Sequence, residues 1–147
     1  MANSLTNAGQ QYMLAGQDGI CRIGTKIKLY DSTSVPLKDG TGFVELTTLN
    51  GYTVGGIVVS PYVATPIPAA APPITSGDWT LSLDSGDIKL LLANKTWTAS
   101  GGSITGILGA YLTDASDVIL CWWERGAAIT IASGDSLTLD SLFIKLG

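Results

Sequence analysis

Few residues of this chain are of a kind that does covalent or metal chemistry. Cys21 and Cys121 are its two cysteines, a hundred positions apart, and no histidine occurs anywhere. Without an imidazole, neither a Ser-His-Asp nor a Cys-His relay can be built. Zinc would have to take Cys21, Cys121 and carboxylates, without the close cysteine spacing of a structural site. The carboxylates offer two pairs, Asp84 with Asp87 and Asp114 with Asp117. Such pairs can hold Ca²⁺ or share acid–base work. Neither sits in the regular Asp-x-Asp-x-Asp-Gly loop. Aspartate beside Gly and Ser is favoured in turns by local hydrogen bonding alone, and that is the reading adopted. Gly55-Gly56 and Gly101-Gly102 are not phosphate loops, because no Gly-Lys-Ser/Thr follows. No motif places a base beside a nucleophile or a phosphate, so the expectation is a protein that is not an enzyme, with no catalytic, cofactor or metal residue.

The residues with more to offer are aromatic and apolar. Trp122 and Trp123 must point to opposite faces if their segment is a strand. One then fills the core. The other lies in an interface, or stacks on a sugar, or is buried on the second side of the same subunit. Glu124 and Arg125 would supply a polar rim to an interface anchored there. The second candidate is a proline run. Pro61, Pro66, Pro68, Pro72 and Pro73 are five of the six prolines, set among Ala, Thr, Val and Ile67. Proline lacks a ladder donor, so this run is no central strand. It is too apolar for a solvated linker. Residues 60–76 therefore read either as a long loop on their own domain or as an extended arm on a neighbouring subunit. The candidate interface is Pro61, Pro66, Ile67, Pro68, Pro72, Pro73, Trp122, Trp123 and Arg125.

Composition favours covered surface. Charged residues make up 14% of the 147 positions, against about 25% in an ordinary soluble domain. Mean hydropathy is +0.33. Poorly charged surface on a small protein points to partners. No apolar run approaches the roughly 18 residues of a spanning helix, so no membrane partner is expected. The net charge is −4, and the lysines are scattered. Lys26, Lys28, Lys38, Lys89, Lys95 and Lys145 are read as solvated, and nucleic acid is a poor partner for such a chain. Met1-Ala2-Asn3-Ser4 has neither the basic nor the apolar region of a secretory signal. The thiols are therefore expected to be buried and unpaired, with a disulfide as the alternative.

The elements that must position these residues are strands. Leu5, Ala8, Tyr12 and Ala15 recur at helical spacing behind Ser4, which predicts a short helix or an arm within residues 1–20. Period two then takes over. Ile23, Thr25, Ile27 and Leu29 oppose Arg22, Lys26 and Lys28, a half-buried strand. Further strands are expected at Phe43–Thr48, Ile57–Val59, Trp79–Leu83, Ile88–Ala93, Thr96–Thr98, Ile104–Leu112, Val118–Trp123, Ala127–Ile131 and Ser136–Leu146. Asn50-Gly51 is a strong hairpin turn. The apolar parity slips near Ser141, which predicts a bulge. Short strands parted by Gly, Asn, Asp and Ser, with no crossover helix, predict one all-β domain over 1–147, an antiparallel sandwich of jelly-roll type.

Several stretches carry a resemblance. Leu5-Thr6-Asn7-Ala8-Gly9 resembles the opening of small structural proteins of tailed bacteriophages. Asn50-Gly51-Tyr52-Thr53-Val54-Gly55-Gly56 is similar to their Gly-Tyr-x-x-Gly-Gly segment. Gly102-Ser103-Ile104-Thr105-Gly106 through Tyr111-Leu112, Leu120-Cys121-Trp122-Trp123-Glu124 and Ala132-Ser133-Gly134-Asp135-Ser136-Leu137-Thr138-Leu139 resemble their β-rich C-terminal region. The likeness covers the chain loosely, and its motifs are turns and core strands. The long proline arm and the second tryptophan depart from it. The resemblance implies a virion component made in the host cytoplasm. It implies a homotrimeric cement or decoration protein on the major capsid protein, or else a tail, baseplate or fibre subunit. A carbohydrate-binding host-attachment module is the further alternative.

Overall fold

The computed structural model describes residues 2–5, 19–63, 73–84 and 87–145. The described elements are strands, apart from one turn of helix. Strand β1 (Ala2–Leu5) is followed by α1 (Ile20–Ile23), β2 (Lys26–Asp31), β3 (Ile57–Val58), β4 (Ile74–Ser76) and β5 (Trp79–Asp84). Then come β6 (Asp87–Leu92), β7 (Lys95–Thr98), β8 (Ile104–Thr113), β9 (Ile119–Ile131), β10 (Ser136–Leu139) and β11 (Phe143–Lys145). They form a sheet of order β1-β9-β8-β2-β3, a pair β10-β7 and a sheet of order β11-β6-β5-β4. The described strand pairs are antiparallel, so the all-β expectation holds.

One apolar core is shared by the three sheets. It takes Ile27, Leu29, Leu112 and Trp123 from the first, Trp97 and Leu139 from the second, and Trp79, Leu90 and Ile144 from the third. Trp123 also ties two sheets directly, its Nε1 donating to Phe143 O at 3.1 Å. A second, smaller cluster covers the other face of the five-stranded sheet. It joins Tyr30, Tyr111 and Trp122 with Phe43. Gly109 makes that face possible. A Cβ there would lie 2.4 Å from Tyr30 Oη, and its absence lets the Tyr30 hydroxyl reach Trp123 O at 3.4 Å.

Several sequence expectations shift. Ser4 and Leu5 lie in β1, paired with Trp122 and Cys121 of β9, rather than opening a helix. Filling a sheet edge outweighs a weak helical propensity. Ala8, Tyr12 and Ala15 lie outside the described residues, as do Pro66, Ile67, Pro68 and Pro72. The strand expected from Arg22 begins at Lys26, because Ile20–Ile23 closes a helical turn between Gly19 and Gly24. Residues 43–48 hold only one bridge, Tyr30 to Glu45. Ala127–Ile131 is no separate strand; it continues β9 through Glu124, Arg125 and Gly126. The parity slip is a corner and not a bulge. Ser141 adopts φ 53°, and the chain leaves β7's partner β10 for β6's partner β11.

Candidate interaction surface

The stretch between β2 and the proline run is built from turns. Asp31 Oδ1 accepts from the Thr33 N–H at 2.8 Å, and Asp39 Oδ1 accepts from the Thr41 N–H at 2.9 Å. Hydrogen bonds from the Thr41 hydroxyl and N–H hold the Asp39 carboxyl below its usual range. Val35 N–H donates to Gly42 O at 2.8 Å, closing a loop whose tip presents Val35 and Leu37. Asn50 and Gly51 take φ of 52° and 98°, the two positive values of a tight hairpin turn, as expected from their types. Leu49 and Tyr52 exchange backbone bonds of 3.1 and 3.0 Å across it.

A buried lysine fixes this stretch to the sheet. Lys28 is 7% exposed, on the face of β2 that also carries Tyr30. A buried ammonium must be paired. Its Nζ lies 3.5 Å from Glu45 Oε2 and 3.0 Å from Asp117 Oδ1. The other Glu45 oxygen accepts from the Tyr52 hydroxyl at 2.8 Å and from the Gly55 N–H at 2.7 Å. Tyr52 Oη in turn accepts from the Leu29 N–H at 3.2 Å. Hydrogen bonding and charge from Lys28 lower the pKa of Asp117. Glu45 therefore gathers three chain segments at one carboxylate.

A second clasp closes the base of the proline run. Lys95 Nζ lies 2.7 Å from Asp78 Oδ2, which also accepts from the Ser60 N–H at 2.7 Å. Burial works to raise the Asp78 pKa, but the bonds from Lys95 and Ser60 and the lysine charge outweigh it and hold it low. Val63 N–H donates to Ser76 Oγ at 2.9 Å. The described residues on either side of positions 64–72 are thus adjacent. Pro61 and Pro73 flank them, both exposed. The reading of the lysines as solvated fails at Lys28 and Lys95. Their partners are distant in sequence, so nothing local marked them.

What this framework displays is apolar. Among the described residues, Val35, Leu37, Val44, Leu49, Val54, Val58 and Val63 are seven of the eight large apolar side chains left exposed; the eighth is Val118. Val58, at 70%, and Val35, at 69%, are the most open. Sequence reasoning passed over these seven in favour of the tryptophans. The signal was there, in single valines and leucines inserted between turn residues.

The tryptophans sit differently from an interface anchor. Trp123 is 1% exposed in the main core and Trp122 is 7% exposed in the second cluster, so both faces are filled within one chain. Phe43 stacks edge-on against Trp122 at 5.5 Å between centroids. Trp97 is also buried. Arg125 is half-buried, and its Nε meets no acceptor among the described residues. The structure does not gather Trp122, Trp123, Arg125 and the described prolines into one patch.

Of the residues weighed for chemistry, Asp117 pairs with Lys28 and Asp114 serves its own turn. Asp114 Oδ1 accepts from the N–H groups of Ser116 and Val118 at 2.8 and 2.9 Å, a turn cap. Asp84 and Asp87 stand opposite each other at the end of the β5–β6 hairpin. Cys21 and Cys121 are buried and unpaired, and burial pushes both thiols up. Among the described residues no three His, Cys, Asp or Glu side chains cluster as a metal site. No described helix is long and apolar enough to cross a membrane. Comparison with protein families, with curated proteins and with solved structures returns no match.

Proposed function

We propose that the chain is a non-enzymatic structural subunit of a phage particle, a cement or decoration protein that docks on the major capsid protein as a homotrimer. The observation that carries the reading is that seven large apolar side chains of the 35–63 stretch stay exposed while Glu45 ties that stretch to the sheet. Each such side chain offers about 1.5–3 kcal/mol if fully buried by a partner. The sequence resemblance supplies the particle. Repetition around a shell would let many weak contacts act together. The jelly-roll-like sandwich belongs to the same proposal, supported by one core shared among three sheets.

Tail, baseplate and fibre subunits share these features and differ only in position. The glycan-binding form that relied on an exposed Trp97, Trp122 or Trp123 loses support, because all three are buried. The test is light scattering of the purified chain, then co-sedimentation with shells of the cognate major capsid protein. A trimer that saturates shells, and loses binding when Val35, Leu37 and Val58 become Asp, is the expected result. A monomer that ignores shells and instead binds purified tail components would overturn the decoration role.

A further inference from the structure

Strand β7 has one strand neighbour, β10, and a second edge that faces residues 51–57. One glycine shows which backbone groups serve that second edge. A Cβ on Gly51 would lie 2.3 Å from Thr98 O, so this carbonyl points away from β10. Residues alternate in the edge they serve, so the N–H and C=O of Thr96 point the same way. The side chains agree. Thr96 Oγ1 lies 2.8 Å from Thr138 Oγ1, and Thr98 Oγ1 lies 2.7 Å from Ser136 Oγ. Such close cross-strand contact belongs to the positions that exchange no backbone bonds.

Between this edge and the facing segment lies a groove of about 330 Å³. Gly51, Thr53, Gly56 and Ile57 form one wall, and residues 96–98 form the other. Both ends are shut. At one, Ser100 N–H donates to Asn50 O at 2.9 Å beside the Gly51 contact. At the other, Lys95 Nζ reaches Val58 O at 3.4 Å while it holds Asp78. A partner strand therefore cannot run along β7, but a ring-sized ligand can enter from solvent. The volume is that of a small-molecule site.

The lining selects the ligand. None of the lining residues is ionisable, and the nearby Lys95 is neutralised by Asp78. A charged ligand would find no counter-charge. The groove offers the Thr53 hydroxyl, which donates and accepts, together with the backbone amide and carbonyl of Thr96; the Thr96 and Thr98 hydroxyls are turned to β10 and bonded there. We propose that this groove binds a neutral saccharide unit, held by hydrogen bonds to Thr53 and the β7 backbone instead of by stacking on tryptophan. The inference does not rest on the shell-docking role.

The test is an amide-shift titration of the isotope-labelled chain with the methyl glycosides of glucose, galactose, mannose and N-acetylglucosamine. With at least one sugar, the amides of Gly51, Gly56, Thr96 and Thr98 are expected to shift together and saturate with Kd on the order of 1 mM. Those of Val35 and Leu37 are expected to stay still. Thr53→Val keeps the shape, removes the groove's hydroxyl and should weaken binding roughly 3- to 10-fold without touching the β7–β10 pair. Absence of saturable shifts at these amides with every sugar would overturn the proposal. So would an affinity unchanged in this variant. Neither result bears on shell binding, which co-sedimentation reads separately.

Discussion

The β8–β9 hairpin and the stretch from residue 32 to residue 63 are held by different forces. The hairpin is a ladder with a face in each apolar cluster, and its inward side chains are nearly all buried. The stretch has a single two-residue strand and a few apolar plugs, Leu46, Tyr52, Val59 and Tyr62. Its conformation depends on carboxylates: Asp31 and Asp39 in their own turns, Glu45 and Asp78 across to the sheets. Burial holds what it hides. Bonds to a few polar atoms can hold a segment while its apolar side chains stay outside, which is what a docking surface needs.

The largest expected effect tests the hairpin side. Trp123→Ala removes a ring that fills the main core and bridges to Phe143, and should cost roughly 3–5 kcal/mol. Trp122→Ala should also destabilise, since its ring is packed on Phe43. Chemical denaturation of both variants checks this. A Trp122→Ala variant as stable as the parent would mean that the second cluster adds nothing to the fold.

Next comes the polar side. Glu45→Ala leaves Lys28 buried with only the exposed Asp117 and strips an acceptor from Tyr52 and Gly55. A loss of about 3 kcal/mol is expected, the scale for breaking a buried pair on one side. Hydrogen exchange should show the opening concentrated between residues 43 and 56. Uniform exchange across the domain would show that the stretch is not held separately.

The second clasp carries a pH dependence. The Asp78 pKa is lowered in the folded chain, so its stabilisation is present above the unfolded value, near 3.8, and fades as pH falls through the folded value. The protection factors of the Ser60 and Val63 amides, corrected for intrinsic exchange, should fall in acid, and Asp78→Asn should abolish that dependence. Acid-insensitive protection in the parent would remove Asp78 from the clasp with Ser60 and Lys95.

The strands were legible because period two and turn residues are local signals. Asn50-Gly51 gave its turn, and Ile27 and Leu29 gave their inward face, from neighbours alone. Lys28 was misread because its burial comes from Glu45 and Asp117, 17 and 89 positions away, whose approach no local pattern announces. The tryptophans drew attention by size, yet size is also what a core takes first. Val35, Leu37 and Val58 were overlooked because one apolar residue between turns looks incidental until the fold leaves it uncovered.

The smallest expected effect on stability falls at the proline run. The Val63–Ser76 bond sets its two ends side by side, so the domain does not need residues 64–71 to close the distance. Loop-closure entropy changes slowly with length. Deleting those residues shortens the link between Val63 and Ser76 from twelve residues to four and should therefore shift stability by only about 1 kcal/mol, at about 0.6 kcal/mol per doubling of loop length. If the run lies on a neighbouring subunit, the same deletion should weaken trimerisation or shell binding in light scattering and co-sedimentation. A shortened chain that unfolds would place the run in its own core. One that folds and assembles unchanged would leave the docking to the valines and leucines of 35–63 alone.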